Sequence, residues 1–212
     1  MEKSNIDEKI KLLTGNGMWH TQEVEGLPSV HLSDGPHGLR KQEEKERQNN
    51  VSLVSTCYPT ASALACSWDV TAAERLGRAV AKEAWNADVA VLLGPGINMK
   101  RSPLCGRTFE YFSEDPCLAG RLGAAYVSAA QGEDVAVSLK HFAANNQETN
   151  RQTANSQIDE RALREIYLSA FEYVVKTARP ATVMASYNRL NGYYACENRH
   201  LLTEILREEW GF

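Results

Sequence analysis

The sequence predicts an α/β fold in which a mostly parallel sheet is flanked by helices. The predicted strands are continuous apolar runs, helical segments separate most of them, and turn residues follow the strand ends. Five strand candidates occur, so the chain would supply about five strand–helix units of a (β/α)8 TIM-type barrel, which typically needs about 250 residues. With 212 residues, it would form the N-terminal portion of one. A doubly wound open sheet is the alternative on pattern alone.

The N-terminal part of the chain contains the first two strand candidates. A short helix is expected over residues 4–13, because apolar residues share one face and glycines follow it. The first strand covers residues 28–33 and ends at Asp34, in the turn-rich sequence DGPHG. The polar stretch 41–50 indicates a solvated loop or a short exposed helix. The small residues of PTASALACS, 59–67, form the second strand candidate.

The rest of the chain alternates between helices and strands. Asp69 is a suitable cap for the helix that follows it. A long loop over residues 97–116 follows the third strand, and loops of this length inside compact domains tend to carry function. Helices are expected at residues 70–85, 117–131, 159–178 and 198–209, and strands at residues 88–93, 135–139 and 181–186.

Polar side chains follow the predicted strands at their C-terminal ends, where parallel α/β folds bind ligands. They are Asp34 after the first strand, Arg101, Arg107 and Glu110 in the long loop, Lys140 and His141 after the fourth strand, and Tyr187 after the fifth. Carboxylates accept hydrogen bonds from hydroxyl groups, and cations donate them. This set suits a polyhydroxylated neutral ligand such as a sugar, although pattern alone also allows a phosphorylated one. The aromatic group 109–112 could stack on the ligand or pack within the loop.

Other classes of function find little support. The net charge is −4 and basic residues are scattered, so no footprint for nucleic acid or a membrane surface exists. The five cysteines include no C-x-x-C pair, which argues against a disulfide framework or zinc site. The spacing of His31, Asp34 and His37 does not favour a metal centre, and Gly94-Pro95-Gly96 lacks a nucleotide fingerprint. No signal-peptide core or membrane span is present, so a cytoplasmic location is expected.

Six segments of the chain form a recognisable set. They are LSDGPHGLR (32–40), LLGPGINMKRSPLCGRTFEYFSEDP (92–116), KHFAANNQE (140–148), DERALREIYLSAFE (159–172), MASYNRLNG (184–192) and LLTEILREEWGF (201–212). In this order they closely resemble the N-terminal domain of family 3 glycoside hydrolases, in the β-glucosidase branch. The resemblance implies that Asp34, Arg107, Lys140 and His141 hold sugar hydroxyls in the innermost subsite, with Tyr187 beside the nucleophile. It places Arg101 and Glu110 at the pocket wall or behind it.

The resemblance implies a retaining β-glucosidase that needs no metal or other cofactor. In a retaining mechanism two carboxyl groups, about 5–5.5 Å apart, flank the bond that is cleaved. The family nucleophile is the aspartate of a Ser-Asp-Trp motif, expected just after Phe212, and the acid/base belongs to a following α/β sandwich domain. Residues 1–212 are therefore expected to be an incomplete barrel domain without a catalytic residue. Its partners would be a β-glucoside or oligosaccharide and the remainder of the enzyme.

Two alternatives remain at this point. The chain could be a sugar-binding or pseudoenzyme fragment, and the sugar could be glucose, xylose or arabinose. The N-acetylhexosaminidase branch is disfavoured because Lys140-His141 is followed by FAANNQE rather than by a Phe-Pro-Gly-His-Gly run. A partial barrel leaves unpaired strand edges, so we expect stability only with the missing part or through self-association as a homo-oligomer.

Overall fold

The computed structural model describes residues 6–42 and 51–212. The strands are β1 (Leu32–Asp34), β2 (Val91–Leu93), β3 (Ala136–Phe142), β4 (Asn155–Ser156), β5 (Thr182–Ala185), β6 (Arg189–Leu190) and β7 (Tyr193–Tyr194). The α-helices are α1 (Ile6–Lys11), α2 (Ala61–Ala65), α3 (Val70–Asn86), α4 (Pro116–Gln131), α5 (Glu160–Ala162) and α6 (Ser169–Ala178). Tighter 3₁₀ turns form at Thr108–Glu110 and Ala195–Glu197, and wider π-type turns form at Leu163–Tyr167 and His200–Glu209.

The main sheet is parallel and has the strand order β1-β2-β3-β5. Asp34 is aligned with Leu93, and Lys140 with Met184, so the polar strand ends lie along one edge. Strands that are neighbours in space follow their order in the chain, as successive strands of a barrel do. The predicted α/β fold with a parallel sheet is confirmed.

The second strand prediction, over residues 59–67, is wrong. This segment contains helix α2, and the hydroxyl of Thr60 accepts a hydrogen bond from the Ala63 amide at 3.3 Å. Alanine is the strongest helix former and threonine is a good N-cap, whereas a short run of small apolar residues does not itself distinguish strand from helix. Within the described residues the main sheet therefore has four strands rather than the five predicted.

Most other predicted elements are confirmed, with shifted ends. Asp69 accepts from the Thr71 amide at 2.8 Å and begins α3, and Asp159 caps α5 by accepting from Ala162 at 2.9 Å. The predicted helix 159–178 is interrupted by a π-type turn. Residues 4–5 of the first predicted helix and residues 43–50 of the predicted polar loop lie outside the described residues.

A small second sheet consists of β4, β6 and β7. In it, β4 pairs in parallel with β6, and β6 forms a hairpin with β7. Asn191 and Gly192 connect the hairpin strands with positive φ angles of 50° and 97°, the conformation that a two-residue type I′ turn requires. None of the helices in the described ranges is long and apolar enough to cross a membrane.

Helices α3 and α4 pack closely where Gly77 meets the backbone of Tyr126. A Cβ atom added at Gly77 would lie 2.5 Å from the Tyr126 carbonyl oxygen. We therefore expect Gly77→Ala to destabilise the full-length protein by about 1–3 kcal/mol, despite the higher helix propensity of alanine. Urea unfolding measures this change. At the control position Gly120, also inside a helix, the nearest atom would be 3.4 Å away, and Gly120→Ala should cost less. An equal or smaller cost at Gly77 would contradict the prediction.

Candidate functional site

An ion-pair cluster forms at the C-terminal ends of β1 and β3 and in the loop after β2. Lys140 Nζ lies 3.4 Å from Asp34 Oδ1 and 3.2 Å from Glu110 Oε2. Arg107 Nε donates to Glu110 Oε1 on the other side of that carboxylate. Lys140 and Asp34 are 106 positions apart in the chain. The parallel sheet therefore brings four of the predicted site residues into one connected cluster.

Glu110 is the buried centre of this cluster. Its side chain is only 4% exposed, whereas that of Asp34 is 34% exposed. Burial disfavours the charged form of Glu110, but Lys140 and Arg107 outweigh burial and hold the pKa of this carboxyl below its usual value. Glu110 is thus enclosed and contacts both cations, while Asp34 is partly accessible to solvent.

His141 is held from two sides. Its backbone N–H donates to Asn98 Oδ1, and its carbonyl accepts from Asn98 Nδ2, both at 2.8 Å. The hydroxyl of Tyr111 lies 2.9 Å from His141 Nδ1. Burial, followed by the positive charges of Arg107, Lys140 and Arg151, lowers the pKa of His141 to about 2. Its imidazole is therefore uncharged at neutral pH.

Tyr187 contacts a polar group after β3 that the sequence analysis did not single out. It is 55% exposed, and the guanidinium carbon of Arg151 lies 5.1 Å from the centre of its ring. Arg151 donates to Glu148 Oε2 at 2.8 Å, and Asn145 Nδ2 donates to Glu148 Oε1 at 3.1 Å. Asn145, Glu148 and Arg151 all lie in the polar segment that follows Lys140 and His141, and this position was the sequence signal that could have identified them.

Arg101 does not join the cluster. Its side chain is exposed, and its guanidinium carbon lies 6.0 Å from the ring centre of Tyr167. The chain turns at residues 103–107, between Arg101 and Arg107, which separates the two cations. Among the residues that the structure describes, Arg101 forms no ion pair with the cluster, and its place at the pocket wall or behind it stays a prediction.

The aromatic group 109–112 divides between the two predicted roles. Tyr111 and Phe112 are 1% and 3% exposed and are part of the packed interior. Phe109 is 48% exposed, and its ring meets that of His37 edge-on at 5.6 Å. Of these residues, only Phe109 offers an exposed ring to a ligand.

The chain matches a known protein family. The model of the glycosyl hydrolase family 3 N-terminal domain matches residues 36–212. The chain belongs to glycosyl hydrolase family 3. The resemblance seen in the six sequence segments is thus confirmed. Arg107, Glu110 and Lys140 lie within the matched residues, and Asp34 lies two positions before the first of them.

Relatives of this family 3 chain include enzymes with different named activities. The thermostable β-glucosidase B of Acetivibrio thermocellus is 52% identical over 99% of the chain. The exo-α-(1→6)-L-arabinopyranosidase of Bifidobacterium longum is 50% identical over 98% of it. The alignment covers only 28% of each of these relatives.

A solved relative supports the fold of the family 3 chain. The structure of β-glucosidase 3B from Thermotoga neapolitana in complex with glucose superposes with a TM-score of 0.92 at 42% identity. This match covers 98% of the present chain and 31% of that protein. The described chain therefore corresponds to less than a third of the relatives that it matches.

Proposed function

We propose that this chain is the sugar-binding part of a retaining β-glucosidase, which hydrolyses terminal non-reducing β-D-glucosyl residues. The observation that carries the proposal is the cluster of Lys140, Glu110 and Arg107 beside Asp34, in a chain of family 3. Charged donors and an exposed carboxylate in one cluster suit a neutral ligand rich in hydroxyl groups. The names of the β-glucosidase relatives support the same activity.

Each side chain has a distinct task in this proposal. Asp34 accepts hydrogen bonds from sugar hydroxyls, and Lys140 and Arg107 donate to neighbouring oxygens. Glu110 fixes both cations from behind, so that the donors need little reorganisation when sugar binds. Neutral His141 contributes a hydrogen bond and does not transfer the proton. Tyr187, with Arg151 stacked on its ring, would lie beside the nucleophile.

The bond-breaking residues are proposed to lie outside residues 1–212. An aspartate attacks the anomeric carbon while a carboxylic acid protonates the leaving oxygen, and the resulting carboxylate then activates water. In this proposal the ion-pair cluster holds the sugar ring in position relative to the two catalytic carboxyl groups during both steps. The remainder of the same enzyme is therefore the proposed partner, and a homo-oligomer and a cytoplasmic location stay predictions.

A second candidate function is an α-L-arabinopyranosidase. The arabinopyranosidase of Bifidobacterium longum is nearly as similar to this chain as the β-glucosidase is, at 50% against 52% identity. A non-catalytic sugar-binding fragment is the further alternative, since no catalytic residue is assigned within the chain.

Hydrolysis assays distinguish these functions. We expect the full-length protein to hydrolyse an aryl β-D-glucopyranoside with a higher kcat/KM than the matching α-L-arabinopyranoside or β-D-xylopyranoside. A chain of residues 1–212 should show no turnover, because both catalytic carboxyl groups are proposed to lie outside it. Turnover by this short chain would overturn the assignment of the catalytic pair. Glucose binding without hydrolysis by the full-length protein would favour the pseudoenzyme.

A further inference from the structure

A chain of hydrogen bonds runs from Glu148 to His141 behind the candidate site. Asn145 Nδ2 lies 3.1 Å from Glu148 Oε1 and 3.5 Å from the hydroxyl oxygen of Tyr111. The same hydroxyl lies 2.9 Å from His141 Nδ1. Tyr111, His141 and Asn145 are at most 3% exposed, so water does not compete for these bonds.

The carboxylate of Glu148 determines which group donates in each of these hydrogen bonds. Glu148 is ion-paired with Arg151 at 2.8 Å, and a carboxylate can only accept hydrogen bonds. The Asn145 amide must therefore turn its NH₂ group toward Glu148, and its second hydrogen faces the oxygen of Tyr111. Burial raises the pKa of Tyr111, so this phenol keeps its hydrogen. Since its oxygen accepts from Asn145, its hydrogen is free to point at His141 Nδ1.

We propose that Glu148, Asn145 and Tyr111 fix His141 as the Nε2–H tautomer, which presents an N–H donor to an oxygen of the bound sugar. With Nδ1 accepting from Tyr111, the single hydrogen of the neutral ring lies on Nε2. Nε2 forms no hydrogen bond to the described part of the chain and is not one of its fully enclosed polar atoms. Tyr111 is thus a positioning residue that acts through His141. The sugar contact rests on the proposed function, but the tautomer does not.

The opposite tautomer would change what the site recognises. A ring with its hydrogen on Nδ1 would present a lone pair at Nε2 and would require a hydroxyl hydrogen from the sugar. Asp34 already supplies an exposed acceptor beside Lys140. With the proposed tautomer, the site has three hydrogen-bond donors for the sugar. Two are the cations Lys140 and Arg107, and the third is the uncharged imidazole of His141.

The first test is spectroscopic and needs no substrate. In the full-length protein labelled with ¹⁵N-histidine, two-bond ¹⁵N–¹H correlations distinguish the two neutral tautomers, and the signal missing in His141→Gln assigns the residue. We expect the Nε2–H pattern in the unmodified protein and loss of that pattern, by tautomer mixing, in Tyr111→Phe. An Nδ1–H pattern in the unmodified protein would overturn the proposal.

The second test measures recognition of individual hydroxyl groups. Calorimetry gives Kd for glucose and its 2-, 3-, 4- and 6-deoxy analogues. One analogue should bind more weakly because it lacks the oxygen that His141 contacts, and Tyr111→Phe should reduce that difference by about tenfold, the value of one hydrogen bond. Tyr126→Phe is the matched control, since Tyr126 is fully buried and its hydroxyl has no described partner. It should leave the pattern unchanged.

The outcomes separate the tautomer from the proposed function. If glucose binds and the analogue pattern is the same in Tyr111→Phe as in the unmodified protein, the positioning role is wrong. If glucose does not bind to the unmodified full-length protein, the proposed sugar site itself is wrong. The ¹⁵N spectrum still decides the tautomer in that case.

Discussion

Replacing Lys140 by methionine in the full-length enzyme is expected to lower kcat/KM for an aryl β-glucoside by about 10²- to 10³-fold. Methionine keeps much of the length of the side chain but removes the ammonium group. The sugar then loses a charged donor, and buried Glu110 keeps Arg107 as its ion-pair partner within the described cluster. Steady-state kinetics with the aryl glucoside measures the loss.

The control for this substitution is Lys176→Met. Lys176 lies on α6, is 47% exposed and pairs with Glu172 at 2.5 Å. Exposed pairs of this kind contribute at most about 1 kcal/mol to stability, and this one does not belong to the cluster. The kcat/KM of Lys176→Met should therefore equal that of the unmodified enzyme. Equal kinetics for Lys140→Met and Lys176→Met would show that Lys140 does not bind the sugar.

The main sheet could be predicted chiefly from its central strand β3, whose residues from Val137 to Phe142 are all buried. Residues 135–139 are almost entirely apolar, and such a run has few alternatives once turns and helices bound it. The segment 59–67 shows the limit of that argument. A short run of small residues leaves strand and helix open, and in the structure the Thr60 hydroxyl caps α2 by accepting from the Ala63 amide. Composition does not encode that bond.

The convergence of Asp34 and Lys140 was predictable, since parallel strands end at one edge of the sheet. The extent to which each side chain of the cluster is buried was not predictable. Glu110 is buried because the loop after β2 runs beside β3, where Ile97 N donates to the Lys140 carbonyl at 2.9 Å. Gly96 permits this close packing, since a Cβ there would lie 2.9 Å from the Tyr111 ring. Such tertiary contacts place Tyr111 and Asn98 against His141, and no sequence spacing reports them.

Glu110→Gln is expected to destabilise the full-length protein by about 3–5 kcal/mol near neutral pH, because it removes the buried anion between buried Lys140 and partly buried Arg107. Urea unfolding at several pH values measures this difference. Glu165→Gln is the control: Glu165 is 61% exposed and pairs with Arg161 at 3.0 Å, so its loss should change stability by less than about 1 kcal/mol.

The pH dependence of this cost follows from the lowered pKa of Glu110. Its folded-state pKa lies below the unfolded value of about 4.3, so the ionised carboxylate stabilises the folded state fully above that pH. The stabilisation is lost as the pH falls through the folded-state pKa. A protonated glutamate is nearly isosteric with glutamine and is likewise uncharged. The stabilities of the two proteins should therefore differ most above pH 5 and converge in acid. A difference that stays constant from pH 7 to pH 3 would mean that Glu110 holds Lys140 and Arg107 by shape rather than by charge.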